Sequence, residues 1–191
     1  MGAAAGRSAV VCLTVVLGTA APAPWAADDG PRVAEVAVKR DPTTLTVGFR
    51  VESAFDDRLD EEMAAGLPVT FVHEVEIRRR RTFWFNGLVA KKTIETTAVF
   101  DSGTRQFVLS RRVDGAPVET STTPQPEQAR RFLCTVDGVG VPLPSDLPAD
   151  DRNELRLRST LATRFLLFFP YDIETPWWEA PLPALENARV P

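Results

Sequence analysis

Few residues in this chain of 191 amino acids are suited to catalysis. A nucleophile activated by a histidine base is the commonest hydrolytic scheme, and His73 is the only histidine. His73 is in phase with Phe71 and Val75 in an alternating run, so its ring should point toward the apolar side of a strand. Because the sequence also contains no Gly-x-Ser-x-Gly segment, we expect His73 to be a buried, hydrogen-bonded structural residue.

Carboxylates and thiols offer two further kinds of chemistry. Glu74 and Glu76 lie on one face of a predicted strand with side chains about 7 Å apart, a spacing that paired acids of a glycosidase could use. Salt bridges to arginines on a neighbouring strand are the simpler interpretation. One histidine and two cysteines are too few for a typical zinc site, and Cys134 is expected to be a small buried residue. The sequence therefore predicts no catalytic residue, metal site or cofactor.

Basic residues beside aromatic residues form the least ordinary pattern in the chain. Between residues 78 and 87, four arginines and a threonine precede Phe-Trp-Phe and then Asn-Gly, the strongest short hairpin signal in the chain. Alternation places Trp84 outward, on the same side of the strand as Arg78 and Arg80. Such a surface could bind an anionic lipid headgroup, a polyanion or a protein partner. The alternative is that the arginines only keep a long strand soluble.

The last part of the chain is rich in aromatic residues. The apolar run at residues 165–169 is too short to span a bilayer, so we expect a core strand there, followed by an irregular segment that folds over the sheet. Two adjacent tryptophans in that segment could instead contact a partner or a membrane surface. The candidate partner- or ligand-binding residues are therefore Arg78, Arg80, Trp84, Trp177 and Trp178.

Residues 1–26 are typical of a secretory signal peptide. Arg7 precedes an apolar run of about 14 residues, which is shorter than the roughly 18 to 20 that a membrane-spanning helix needs. Small residues and prolines follow it, and we expect cleavage near Ala26. The prediction is export to the periplasm of a Gram-negative bacterium, with residues 27–191 as one mature domain. Retention of the leader as an anchor is the alternative.

Composition indicates an ordinary globular domain, with 44% apolar and 25% charged residues. The formal net charge of -4 provides no positive field for a phosphate backbone, so nucleic acid is not an expected partner. After removal of the leader, Cys134 is the single cysteine left, and no disulfide within the chain is expected.

Alternation of apolar and polar side chains predicts antiparallel strands over most of the mature chain. Two short segments have helical spacing with end signals, and a segment rich in proline and acidic residues predicts a loop. The expected fold class is mainly β, an antiparallel sandwich-like or strongly curved sheet with two short helices. The predicted strands cover 33–39, 45–51, 69–77, 88–100, 104–113 and 155–163; the predicted helices cover 56–65 and 126–136, and the predicted loop 139–151.

Four segments of the sequence form a distinctive set, namely Gly66–Phe71, Arg81–Asn86, Val89-Ala90 and Thr104–Phe107. They resemble one family of short exported proteobacterial proteins, known as a domain of unknown function. The similarity covers roughly Val33 to Trp178 and implies export and a shared β-rich fold. The family's genes are associated with sensor kinases, which implies a partner in the cell envelope.

These patterns favour a non-catalytic periplasmic accessory or binding module that contacts an envelope or sensor protein. Peripheral contact with a membrane is also open. One alternative is a weak hydrolase that uses His73 or the pair Glu74 and Glu76. The other is a carrier of a small apolar ligand, which would need a cavity between the sheet faces lined by residues such as Phe71 and Phe100.

Overall fold

The structure is a computed structural model that describes residues 30–80, 87–148, 152–166, 169–182 and 188–189. Within these ranges, the side chains of residues 163–171 and 188–189 are not described. The predicted signal peptide, its cleavage site, Trp84 and Asn86 lie outside the described residues.

Strands dominate the described part of the chain, and the predicted mainly β, antiparallel fold with two short helices is confirmed. Neither helix has the length and apolar character that crossing a membrane requires. In chain order the elements are β1 Arg32–Arg40, β2 Thr44–Glu52, α1 Asp57–Ala64, β3 Val69–Arg79, β4 Gly87–Asp101, β5 Gln106–Val113, β6 Ala116–Thr123, α2 Pro126–Cys134, β7 Thr135–Pro142, β8 Asn153–Leu166, β9 Phe169–Glu174, β10 Trp178–Pro181 and β11 Ala188–Arg189.

The strands form two antiparallel sheets. One sheet has the order β11-β1-β2-β7, and the other has the order β10-β8-β3-β4-β5-β6, with β9 also paired to β8. Alternation buries every second side chain of β2, including Val47 and Phe49. The ring of Phe49 meets the ring of His73 on β3 edge to face, with centroids 5.7 Å apart. The hydrophobic core therefore lies between the two sheets.

Both helices bury one side against this core. Asp56 caps α1 by accepting a hydrogen bond from the Leu59 backbone N–H, at 2.9 Å, and Gly66 follows the helix with a positive φ of 78°. In α2, Ala129 and Leu133 are fully buried, as their helical spacing predicts.

Three segments differ from the sequence prediction. Strand β6 was not predicted, because all but its last residue is exposed and no alternation of polarity marks it. Strand β7 was predicted as the end of a helix and a loop, because a bulge at Asp137 and Gly138 interrupts its period of two. The C-terminal segment was predicted as irregular, but β9 and β10 within it pair with β8 through backbone hydrogen bonds.

The connection between β3 and β4 is also not the predicted two-residue turn. Gly87 already pairs with Arg79, so it belongs to β4 and not to a turn. A bulge at Val89 interrupts β4 opposite Ile77 and Arg78, whereas β3 stays in regular register with β8 through Arg79. A tight turn does join β5 to β6, where Asp114 and Gly115 have φ of 49° and 79°.

Candidate functional site

The outer face of the sheet that contains β3 and β8 carries a continuous set of charged side chains around one tryptophan. Alternation directs Glu74 of β3 and Arg158 of β8 away from the core, since their neighbours Val75 and Leu157 are buried. We call this set the arginine–tryptophan face. It consists of Trp177 with Arg78, Arg80, Lys91, Arg156, Arg158, Glu74, Glu76, Glu154, Glu174 and Glu179.

Trp177 lies between β9 and β10, over the side chains of β8. The guanidinium carbons of Arg156 and Arg158 are 4.4 and 4.5 Å from its ring centroid. A cation at this distance from an indole ring is attracted to its electron-rich face. Trp177 is half-buried, so one part of the ring is held by the two arginines and another part remains accessible.

Carboxylates hold both guanidinium groups in place. Arg158 donates from Nη2 to Glu74 Oε2 and from Nη1 to Glu174 Oε2, each at 2.6 Å. Arg156 pairs with Glu179, with Nη2 and Oε1 2.5 Å apart. Charge-assisted bonds of this kind fix the planar guanidinium groups. The position of the indole is therefore set before any partner arrives.

Glu74 and Glu76 both pair with the Lys91 ammonium on this face. Burial by itself would raise the pKa of Glu74, but hydrogen bonds from Lys91 and Arg158 outweigh it and hold that pKa below its ordinary value. The Lys91 ammonium also pairs with Glu76, at 3.6 Å. Glu74 is therefore held in its ionised form by the cations beside it.

Two of the predicted site residues, Arg78 and Arg80, lie on this face and pair with buried carboxylates. Arg78 Nε donates to Glu76 at 2.8 Å, and Arg80 donates two hydrogen bonds of 3.2 Å to Glu154. Both carboxylates are only 5% exposed, so the arginines supply the charge that allows their burial. Hydrogen bonding from Arg80 is the main cause that lowers the pKa of Glu154.

Trp177 and Trp178 are adjacent in sequence and separate in space. Trp178 is the first residue of β10, pairs with Leu157 and packs against the core. The structure therefore brings Arg78, Arg80 and Trp177 together and leaves Trp178 apart from them. Trp84 lies outside the described residues. Binding of a partner by any of these side chains stays a prediction.

His73 is fully buried, as its place in the alternating run predicts. Its Nε2 lies 3.0 Å from the Leu133 carbonyl oxygen and 3.2 Å from Thr96 Oγ1, and its Nδ1 lies 2.7 Å from Ser159 Oγ. A carbonyl only accepts, so Nε2 carries the hydrogen and Nδ1 accepts from the Ser159 hydroxyl. Burial lowers the pKa of His73 to about 4, against a partial opposing effect of the Leu133 carbonyl. The ring is neutral and both of its nitrogens are engaged.

Cys134 is buried, as the sequence predicts. Burial raises the pKa of the Cys134 thiol to about 11, and the charge of Arg50 offsets this only in part. A protonated, buried thiol is a poor nucleophile. Over the ranges of residues described above, no three His, Cys, Asp or Glu side chains are grouped as metal ligands.

Phe71 and Phe100, which the ligand-carrier alternative placed in one cavity between the sheets, have different surroundings among the described residues. Phe71 is fully buried and its ring packs against Phe55, with centroids 5.5 Å apart. Phe100 lies at a surface pocket beside Phe107, at the end of the large sheet. The carrier alternative itself stays an untested prediction.

A groove of about 600 Å³ crosses the outer face of the small sheet over Gly48. Bulges in β1 and β7 flank this glycine, and they contain Glu35 and Gly138 with positive φ of 50° and 62°. A Cβ atom on Gly48 would lie 3.2 Å from the Val136 carbonyl oxygen. Sequence reasoning missed this groove; the available signal was glycine inside a run of strand residues.

Comparisons with known proteins bear on the family and not on the activity. Searches of curated proteins and of solved structures found no match. Residues 28–166 match a family described as "Domain of unknown function (DUF4390)". The match contains all strands from β1 to β8 and both helices, and it ends before Trp177. Because it spans more than half of the 191 residues, and because it agrees with the resemblance seen in the sequence, the chain belongs to the DUF4390 family.

Proposed function

We propose that the protein is a non-catalytic, exported accessory module that binds a protein of the bacterial envelope through its arginine–tryptophan face. The observation that carries the proposal is the placement of Trp177 over Arg156 and Arg158, with both arginines fixed by carboxylates. Tryptophan and arginine are the residue types on which binding energy concentrates at protein interfaces. Side chains that are already fixed lose little conformational entropy when a partner binds.

The balance of charge on the face favours a protein over an anionic lipid or a polyanion. Each acidic side chain of the face is matched by a basic one, so the face as a whole is close to neutral. A polyanion or an anionic headgroup is held by net positive charge, which this face lacks. A protein surface can instead place complementary groups opposite both signs of charge.

The contacts of the candidate catalytic groups His73 and Glu74 support the non-catalytic part of the proposal. Both nitrogens of His73 are bonded inside the core, and Glu74 is ionised between Lys91 and Arg158. Each group stabilises the fold in its present state. Proton transfer to a substrate would break bonds that the core requires.

Export rests on the pattern of the first 26 residues, and the class of partner follows from the compartment. A mature domain in the periplasm meets the domains of envelope proteins, sensor proteins among them. N-terminal sequencing of the protein from the envelope fraction should give a start near Asp28. A start at Met1 would contradict cleavage of the leader.

Crosslinking in intact cells, followed by recovery of the tagged protein, tests the binding function. The wild type should recover one specific envelope protein. Trp177→Ala should reduce that recovery by about tenfold, which corresponds to about 1.4 kcal/mol of binding free energy. Its thermal unfolding midpoint should stay within a few degrees of the wild type, because Trp177 is outside the core.

Arg32→Ala is the matched control, since it removes an exposed arginine from a 2.6 Å ion pair on the other sheet. It should leave recovery unchanged. Equal recovery with Trp177→Ala and wild type would contradict the site, and failure of the wild type to recover any envelope protein would contradict the function.

A further inference from the structure

A small pocket lies where the turn between β4 and β5 approaches the ends of the two helices, away from the arginine–tryptophan face. Its volume is about 320 Å³. Ala64 ends α1, Pro126 begins α2, and the remaining lining residues come from β4, β5 and the segments beside them. Its lining is apolar except for one side chain, and consists of Ala64, Phe100, Arg105, Phe107, Pro124 and Pro126.

The apolar wall of the pocket is preformed. Phe100 and Phe107 are direct cross-strand partners, with ring centroids 5.0 Å apart and planes inclined by 51°. Phe107 is nearly fully buried, so its ring is held by the core. Pro124 and Pro126 close another side with rings that have little freedom to move. A rigid apolar concavity of this kind binds an apolar group at low entropic cost.

Arg105 is the one charged residue of the pocket. Among the described residues its guanidinium group has no hydrogen-bond or ion-pair partner. The neighbouring carboxylate of Asp101 is engaged elsewhere, because it accepts from the backbone N–H of Gly103 and from the hydroxyl of Thr104. Arg105 also has a φ of 56°, a conformation that is unfavourable for a residue with a Cβ atom.

We propose that this pocket binds a small carboxylic acid with an apolar body. The apolar part contacts Phe100 and Phe107, and the carboxylate accepts two hydrogen bonds from the planar guanidinium of Arg105. A single cation matches the single charge of a carboxylate better than the double charge of a phosphate monoester. A water-sized group occupies about 30 Å³, so the volume suits a ligand of about ten non-hydrogen atoms.

The proposal goes beyond partner binding and does not depend on it. Arg105 and Phe107 belong to the Thr104–Phe107 segment that stood out in the sequence, and the proposed function leaves that segment without a role. Both the charged Arg105 and the aromatic Phe107 line the pocket.

Calorimetric titration of the purified protein tests the proposal, with octanoate as the probe. Octanoate should bind saturably with one site per chain. Octanamide keeps the apolar chain without the charge, and acetate keeps the charge without the chain. Both should bind at least about tenfold more weakly, because each lacks one of the two contacts.

Arg105→Gln should reduce octanoate affinity by about tenfold and leave octanamide affinity unchanged. Arg112→Gln is the matched control, because Arg112 is an exposed arginine of β5, the strand that follows Arg105, and does not line the pocket. It should leave both affinities unchanged, and thermal unfolding should show that both variants are folded. Absence of saturable octanoate binding to the wild type would overturn the pocket. Equal affinity for octanoate and octanamide, or unchanged octanoate affinity in Arg105→Gln, would overturn the role of Arg105.

A further titration, with a short peptide as the probe, distinguishes binding of a free acid from binding of the carboxyl terminus of a protein. A short peptide that ends in Phe should bind no better with a free carboxylate than with an amide. Carboxylate-dependent binding of the peptide would overturn the assignment to a free acid.

Discussion

The carbonyl oxygen of Leu133, in the last turn of α2, accepts a hydrogen bond from Nε2 of His73 on β3 at 3.0 Å. Thr96 on β4 donates to the same carbonyl oxygen at 3.1 Å. The end of the helix is thus bonded to two strands of the large sheet inside the core. Because burial keeps the His73 imidazole neutral, the stability of the protein depends on the protonation state of His73.

The free energy of unfolding should fall as the pH is lowered from about 6.5 to about 4. The unfolded chain binds a proton at His73 below its ordinary pKa, whereas the folded chain does so only near the lowered pKa of about 4. The unfolded state is therefore favoured progressively through this window, by at most about 3 kcal/mol. Urea unfolding at a series of pH values measures it.

Carboxylates whose pKa is lowered, such as Glu74 and Glu154, act in a different window. Their contribution to the free energy of unfolding is complete above the ordinary carboxylate pKa and is lost only as the pH falls through the lowered value. Between pH 6.5 and about 5, the change in the free energy of unfolding therefore comes from His73. His73→Gln should have a flat profile in that interval. A flat profile in the wild type would contradict the neutral, buried imidazole.

Replacing His73 should reveal coupling to Ser159. His73→Leu leaves the Ser159 hydroxyl without its imidazole partner, and such a loss costs about 1–3 kcal/mol in the free energy of unfolding. Adding Ser159→Ala removes the unsatisfied hydroxyl and should recover part of the loss. Denaturant titration of the two single variants and the double variant measures the coupling. Strictly additive losses would argue against the bond, and recovery of the envelope partner should be unaffected throughout.

Arg158→Ala should destabilise the protein more than Arg32→Ala does. Arg158 lies between two carboxylates and under Trp177, and its removal leaves Glu74 partly buried beside fewer cations. We expect a loss of about 1–3 kcal/mol, against less than about 1 kcal/mol for the exposed pair of Arg32. Equal losses in urea unfolding would show that the face does not behave as a connected network.

Gly48→Val should destabilise the small sheet. The added Cβ would lie 3.2 Å from the Val136 carbonyl oxygen, and backbone atoms on a paired strand cannot move away easily. Overpacking of this kind costs about 1–3 kcal/mol. Gly140→Val is the comparison, since a Cβ there would meet only the Thr44 methyl group, at 3.4 Å. The thermal midpoint should fall clearly further for Gly48→Val, and the opposite order would contradict the close approach at Gly48.

The strands of highest alternation could be predicted from sequence because their pattern is local. In β2 and β3 the inward residues around His73 are apolar, and this pattern placed His73 inside. Strands β6 and β7 lacked the pattern, one because it is an exposed edge and the other because a bulge shifts its phase. Propensity and period act over a few residues, so they carry no information about such edges and bulges.

The sequence by itself determined a mainly β chain with two short helices and an inward His73. Only the tertiary structure decided that Arg158 joins Glu74 to Glu174, that Trp177 lies over it while Trp178 packs inward, and that Arg105 stands alone at an aromatic pocket. The reason is physical. Which strands become neighbours, and in which register, depends on burying one face of each sheet in a common core, and contacts between distant segments follow from that choice.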